Sequence, residues 1–223
     1  SQNRDTYGVM TTLQQGVENV GCRVLDCEIY NHVDQIAATV SSKPGNAFDE
    51  LRDCIIDGND LYNTREYIDA GNPMENLLDY KIGTDAPNQN LIKNNRFWGL
   101  AESDGGSGGS NHSLLFHRAA RGWVVQDNII GENASLDAAI YESVWQLMDS
   151  PENGNFQERR NRYLRNIIYN HSRALGVSLD GYAEANAVIN CNYLLYRSPA
   201  GGRLSSTPAT IKDTRINQVI SIE

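Results

Sequence analysis

Asn90-Leu91-Ile92-Lys93-Asn94-Asn95-Arg96-Phe97-Trp98-Gly99 alternates apolar and polar residues, breaks at an asparagine and closes on a glycine. Aligning the chain on Asn95 gives six further copies of this phrase, at Cys27, Asn59, Asn128, Asn166, Asn192 and Asn217, with separations of 32, 36, 33, 38, 26 and 25 residues. Three positions before stand Val24, Ile56, Ile92, Val125, Tyr163, Ile189 and Thr214. Two positions after stand Ile29, Leu61, Phe97, Ile130, Ile168, Leu194 and Val219. All of these except Thr214 are apolar or aromatic.

A roughly periodic unit of this length, carrying short strands and no helical periodicity, is the signature of a solenoid, and the strand type predicts an all-β, right-handed parallel β-helix of about seven coils. Alternate side chains of a strand face opposite ways. The apolar residues on both sides of the asparagine can therefore point inward only if the chain bends between them. An asparagine at that bend tolerates the left-handed conformation and bonds to the asparagine of the next coil, forming a ladder.

The chain of 223 residues reads as one domain, because a solenoid grows along one axis without dividing. A formal charge of -9 offers no basic stripe and excludes nucleic acid as partner. No apolar run approaches the length of a membrane span. Ser1-Gln2-Asn3-Arg4-Asp5 is polar from the first residue, which predicts a mature or trimmed form without a signal peptide. The strand-like Val219-Ile220-Ser221-Ile222 near the end predicts a segment of a longer β-helix, or one whose ends are covered by further coils or a capping partner. Cys22 and Cys54 each lie five positions before a ladder residue and are expected on adjacent coils, within disulfide reach; whether they are bonded is left open. Cys27 and Cys191 read as small buried thiols.

Between the ladder phrases lie second strands. Aligning Ala38-Thr39-Val40-Ser41, Leu78-Asp79-Tyr80-Lys81, Leu114-Leu115-Phe116-His117, Ala139-Ile140-Tyr141-Glu142 and Val177-Ser178-Leu179-Asp180 predicts an outward row Ser41, Lys81, His117, Glu142, Asp180, with Asp79 and Ser178 beside it. Two loops, residues 99–112 and 146–160, are placed to wall this face.

The phrases Glu75-Asn76-Leu77-Leu78-Asp79-Tyr80-Lys81-Ile82-Gly83 and Asn94-Asn95-Arg96-Phe97-Trp98-Gly99 resemble the right-handed parallel β-helix proteins of the pectate lyase-like superfamily, over about residues 17–222. The resemblance implies a secreted or cell-surface protein with a polysaccharide partner. The family includes lyases, glycoside hydrolases and noncatalytic surface proteins, so fold alone does not select the chemistry. The WIDH and RxPxxR motifs of pectate lyases are absent, and no catalytic residue carries over from them.

Three readings follow. In a polysaccharide lyase, Lys81 is the base, assisted by His117 or Arg118, and the cluster Lys81, His117, Arg118 and Arg121, or a Ca²⁺ ion, screens the uronate carboxylate. In a glycoside hydrolase, Glu142 and Asp180 form the carboxylate pair. The third reading is a noncatalytic carbohydrate-binding or structural solenoid. The lyase is placed ahead by a small margin.

Overall fold

The computed structural model describes residues 7–13, 19–40, 51–72, 74–82, 90–100, 111–120, 122–132, 138–144, 161–176, 182–195, 210–212 and 215–217. Among them the strands form three parallel sheets of seven strands each and one two-stranded sheet. The first large sheet comprises Tyr7–Leu13, Asp34–Val40, Leu78–Ile82, Leu114–Ala119, Ala138–Val144, Arg173–Gly176 and Tyr193–Leu195. The second comprises Arg23–Leu25, Ile55–Asp57, Asn90–Lys93, Trp123–Gln126, Arg162–Leu164, Tyr182–Glu184 and Thr210–Lys212, and the third Glu28–Tyr30, Asp60–Tyr62, Arg96–Trp98, Ile129–Gly131, Ile167–Tyr169, Ala187–Ile189 and Arg215–Asn217. The chain visits each sheet in turn, so every strand pairs with its equivalents one circuit away. This arrangement fits a parallel β-helix and a repeat protein. A one-turn helix, Arg65–Asp69, is N-capped by Thr64, whose hydroxyl accepts the Tyr67 N–H.

The inward residues follow from the period of two within each short strand. In the third sheet Ile29, Leu61, Phe97, Ile130, Ile168 and Val188 share one rung, and in the second Val24, Ile56, Ile92, Val125, Tyr163 and Ala183 do so. These side chains and the inward residues of the first sheet form one continuous core. Its centre is aromatic: Tyr80 lies 4.3 Å from Trp123 between ring centroids, and Phe116 lies 6.0 Å from Trp123 and 6.1 Å from Tyr163.

The ladder runs through the corner between the second and third sheets. Asn95 donates its backbone N–H and its side-chain amide to Asn128 Oδ1, at 2.9 and 3.0 Å, and gives the other amide hydrogen to the Ile56 carbonyl at 3.0 Å. Asn59, Asn128 and Asn166 repeat this pattern, and Cys27 donates its N–H to Asn59 Oδ1. The row ends differently from the sequence expectation: Asn166 bonds Asn186, only 20 residues on, and Asn192 is exposed. Asn217 is not on the ladder either, since it pairs with Ile189 within the third sheet. The misreading has a physical source. The flank before Asn186 is the small Ala183, which shares its rung with the large Tyr163 ring one circuit away, whereas Ile189-Asn190-Cys191-Asn192-Tyr193-Leu194 mimics the bulky flanks of the other phrases.

The left-handed residue at this corner also differs from expectation. It is the one before the asparagine: Asp26, Gly58, Asn94, Asp127, Arg165 and Ala185 have φ of 51°, 71°, 55°, 57°, 53° and 55°. A second corner, between the third and first sheets, carries positive φ at Asn31, Gly99, Glu132, Asn170 and Asn190. Gly99 is required there by space as well, because a Cβ would come within 2.3 Å of the Asn63 carbonyl oxygen.

Cys22 and Cys54 face each other across adjacent strands, as expected: the Ile55 N–H donates to the Cys22 carbonyl at 2.8 Å. Both are free thiols, Cys22 half-buried and Cys54 buried. Burial, reinforced by Cys22, pushes the Cys54 thiol up to about 12. Cys191 is buried as expected, but Cys27 is exposed.

Two measurements check this architecture. Asn128→Leu orphans the Asn95 donors and the Ile92 carbonyl and is expected to destabilise by about 2–5 kcal/mol in urea unfolding, whereas Asn192→Ala stays within about 0.5 kcal/mol. Equal effects would return Asn192 to the ladder. In thiol labelling near neutral pH, Cys27 is expected to react in the native protein and Cys54 only on unfolding.

Candidate functional site

The first sheet was expected to carry the site, and its register redistributes the residues assigned to it. Leu78, Leu114, Ile140 and Leu175 share an inward rung, followed by Tyr80, Phe116 and Glu142. Glu142 thus pairs with Phe116, not with His117, whose partner is Ser143. Its carboxylate is 1 % exposed and accepts the Tyr163 hydroxyl at 2.9 Å. The outward row of Lys81, His117, Glu142 and Asp180 is therefore broken at Glu142, and with it the carboxylate pair proposed for a hydrolase. The cause is the run Ala138-Ala139-Ile140-Tyr141, which lacks the apolar/polar alternation that would fix register. Asp180, Ser178 and Arg121 lie outside the described residues, as does Ser41.

Lys81, His117 and Arg118 remain neighbours along the backbone. Phe116 pairs with Tyr80 and Ala119 with Ile82, so His117 and Arg118 together oppose the single residue Lys81. This two-against-one arrangement is a β-bulge, a device that re-aims side chains.

Asp79 faces outward on the rung of Ala37, Leu115 and Tyr141. Residues on the outer side of a bare sheet would be solvated, yet Asp79 is 3 % exposed and His112, just before the next strand, is 4 % exposed. The His112 ring stacks on Tyr141 with centroids 4.3 Å apart and planes 3° from parallel. Its backbone N–H donates to Asn76 Oδ1 and its Nδ1 lies 3.0 Å from the Ala138 carbonyl oxygen. A carbonyl only accepts, so Nδ1 carries a proton. On its other side Tyr141 covers Gly176, where a Cβ would come within 2.6 Å of Tyr141 Cδ2. Tyr141 itself is half-buried and therefore reachable. The outer side of the sheet thus gathers an acid (Asp79), an imidazole and a phenol next to the bulge of basic residues. Among the described residues no three His, Cys, Asp or Glu side chains gather for a metal.

A second outer face escapes a search for charged clusters. On the third sheet Tyr30, Tyr62, Trp98, Gly131, Tyr169 and Ile189 form one outward rung. Tyr30 and Tyr62 stack at 5.2 Å and 13°, and Tyr62 and Trp98 at 4.2 Å and 8°. The other outward rung runs Glu28, Asp60, Arg96, Ile129, Ile167, Ala187. The rungs are cross-linked: Tyr62 Oη donates to Glu28 Oε1 at 2.5 Å, Trp98 Nε1 to Asp60 Oδ1 at 2.7 Å, and the Arg96 guanidinium lies 5.1 Å from the Trp98 ring centroid. The sequence signal is plain once the ladder is correct: every aromatic residue of this rung stands three positions past a ladder residue.

No helix among the described residues is long and apolar enough to cross a membrane. If Glu142 serves the core, Glu142→Ala removes the partner of the Tyr163 hydroxyl and should cost about 1–3 kcal/mol in chemical denaturation; unchanged stability would move the side chain back to the surface. Comparison with known proteins finds no matching family model, no similar curated protein and no similar solved structure.

Proposed function

We propose that the chain is a right-handed parallel β-helix of about seven coils, of the pectate lyase-like kind, that acts on an extracellular or cell-surface polysaccharide and cleaves a uronate-containing glycan by β-elimination. The observation that carries this reading is the outer face of the first sheet, where Asp79 and His112 are withdrawn from solvent beside the half-buried Tyr141 and the Lys81/His117–Arg118 bulge. Buried acid and imidazole groups on the outside of a sheet, beside a reachable phenol and a cluster of basic residues, mark a candidate site for acid–base work.

The chemistry needs three roles. A base removes the proton beside the uronate carboxylate, the electron pair forms a carbon–carbon double bond, and the glycosidic C–O bond breaks as an acid protonates the leaving oxygen. No water is consumed. Lys81 is the base, and His117 and Arg118 bring positive charge to the carboxylate, a role that extends to Arg121. Tyr141 is the acid, since its phenol is the reachable member of the stacked pair. His112 is a positioning residue that fixes the ring from behind through its own bond to the Ala138 carbonyl. Lys81 and Tyr141 stand on strands two circuits apart, roughly 10 Å. A lysine and a tyrosine side chain can close that gap around a substrate lying across the intervening strand.

Incubation with a panel of polyuronates and neutral polysaccharides tests this reading. Absorbance of an unsaturated product is expected from a polyuronate. Tyr141→Phe and Lys81→Ala are each expected to lower kcat by about 100-fold or more, while Lys81→Ala leaves stability within about 0.5 kcal/mol. New reducing ends without unsaturation would mean a hydrolase, and binding without either product a noncatalytic module; both results overturn the lyase.

A further inference from the structure

We propose that the outer face of the third sheet is a second binding site, separate from the first-sheet site, and that it takes a neutral polysaccharide chain. The rings of Tyr30, Tyr62 and Trp98 stack on one another along the axis, so they present edges and polar tips rather than open faces to solvent. What they do with the tips is specific. Two of the three rings hold the carboxylate of the preceding circuit: Tyr62 holds Glu28 and Trp98 holds Asp60. A carboxylate has about four lone-pair sites, so each retains acceptor capacity after taking one aromatic donor. The result is a pair of fixed acceptors, Glu28 and Asp60, one strand spacing of roughly 4.8 Å apart. Arg96 on the next circuit supplies donors. Side chains already immobilised by stacking lose little entropy on binding.

Size and charge decide between occupants. From Tyr30 to Ile189 the strip covers five strand steps, roughly 24 Å long and, at three residues, about 10 Å wide. Roughly 240 Å² is far below the ~800 Å² per partner of a stable protein interface, but it matches a single extended sugar chain, whose repeat is comparable with the strand spacing. Glu28 and Asp60 in a chain of net charge -9 repel a polyanion and suit hydroxyl donors. Glu28, by accepting the phenolic proton, pushes Tyr62 up to about 12, so the donor that fixes this carboxylate stays protonated throughout the neutral range.

Native affinity electrophoresis of the whole chain through gels containing a linear β-glucan, a β-mannan or a polyuronate tests the inference. Retardation by a neutral glycan is expected. Trp98→Ala should weaken it at least tenfold. Tyr62→Phe, which keeps the ring stack but releases Glu28, should weaken it several-fold. Neither change is expected to alter the rate of unsaturated-product formation, so this site and the lyase reading can fail independently. No retardation by any neutral glycan, retardation by the polyuronate alone, or affinity unchanged in both variants would overturn the inference. So would a concentration-dependent dimer in sedimentation that Trp98→Ala abolishes, because the face would then serve a second copy of the chain.

Discussion

The structure depends on one repeated hydrogen bond, from the backbone N–H of each corner asparagine to the side-chain oxygen of the next. Where the chain turns from the second sheet to the third, strand pairing stops and buried backbone groups need other partners. The asparagine meets that need in both directions, accepting two hydrogens from the preceding circuit and donating to a carbonyl there. A left-handed residue immediately before it makes the bend. Serine would supply the acceptor but not the second donor, and aspartate would place like charges on neighbouring rungs.

This constraint fixes register, and register decides function. Because neighbouring asparagines must meet, the residue three positions later must recur on the same rung, which turns scattered aromatics into a stack and brings Tyr62 and Trp98 to the carboxylates of the preceding circuit. The first sheet is held less tightly. Its strands are longer, its register shifts at His117–Arg118, and its outer side carries withdrawn titratable groups instead of an ordered stack. On the proposed reading the two faces divide the work. The regular one suits a repeating ligand held along its length, and the irregular one suits chemistry at a single linkage.

The sequence discloses the ladder where bulky aliphatic or aromatic residues flank the asparagine, at Asn59, Asn95, Asn128 and Asn166. It misleads at Asn186, because the single alanine Ala183 beside the large Tyr163 satisfies the same rung by complementary volume, which no single phrase reveals. The first-sheet register is equally opaque. Ala138-Ala139-Ile140 permits several alignments, and only the Tyr163–Glu142 bond and the core rung of Phe116 select one. His112 and Tyr141 were missed for the same reason, since a histidine before a strand and a tyrosine within the next meet only once their rungs are known. The aromatic row was written at constant spacing, but a search for titratable residues passes over rings.

Hydrogen–deuterium exchange with a uronate oligosaccharide tests most directly where this protein does its work. The account predicts that added oligosaccharide slows exchange in Leu78–Ile82, Leu114–Ala119 and Ala138–Val144 and leaves Asp60–Tyr62 and Arg96–Trp98 unchanged. Protection absent from those first-sheet strands, or confined to the third sheet, would contradict it.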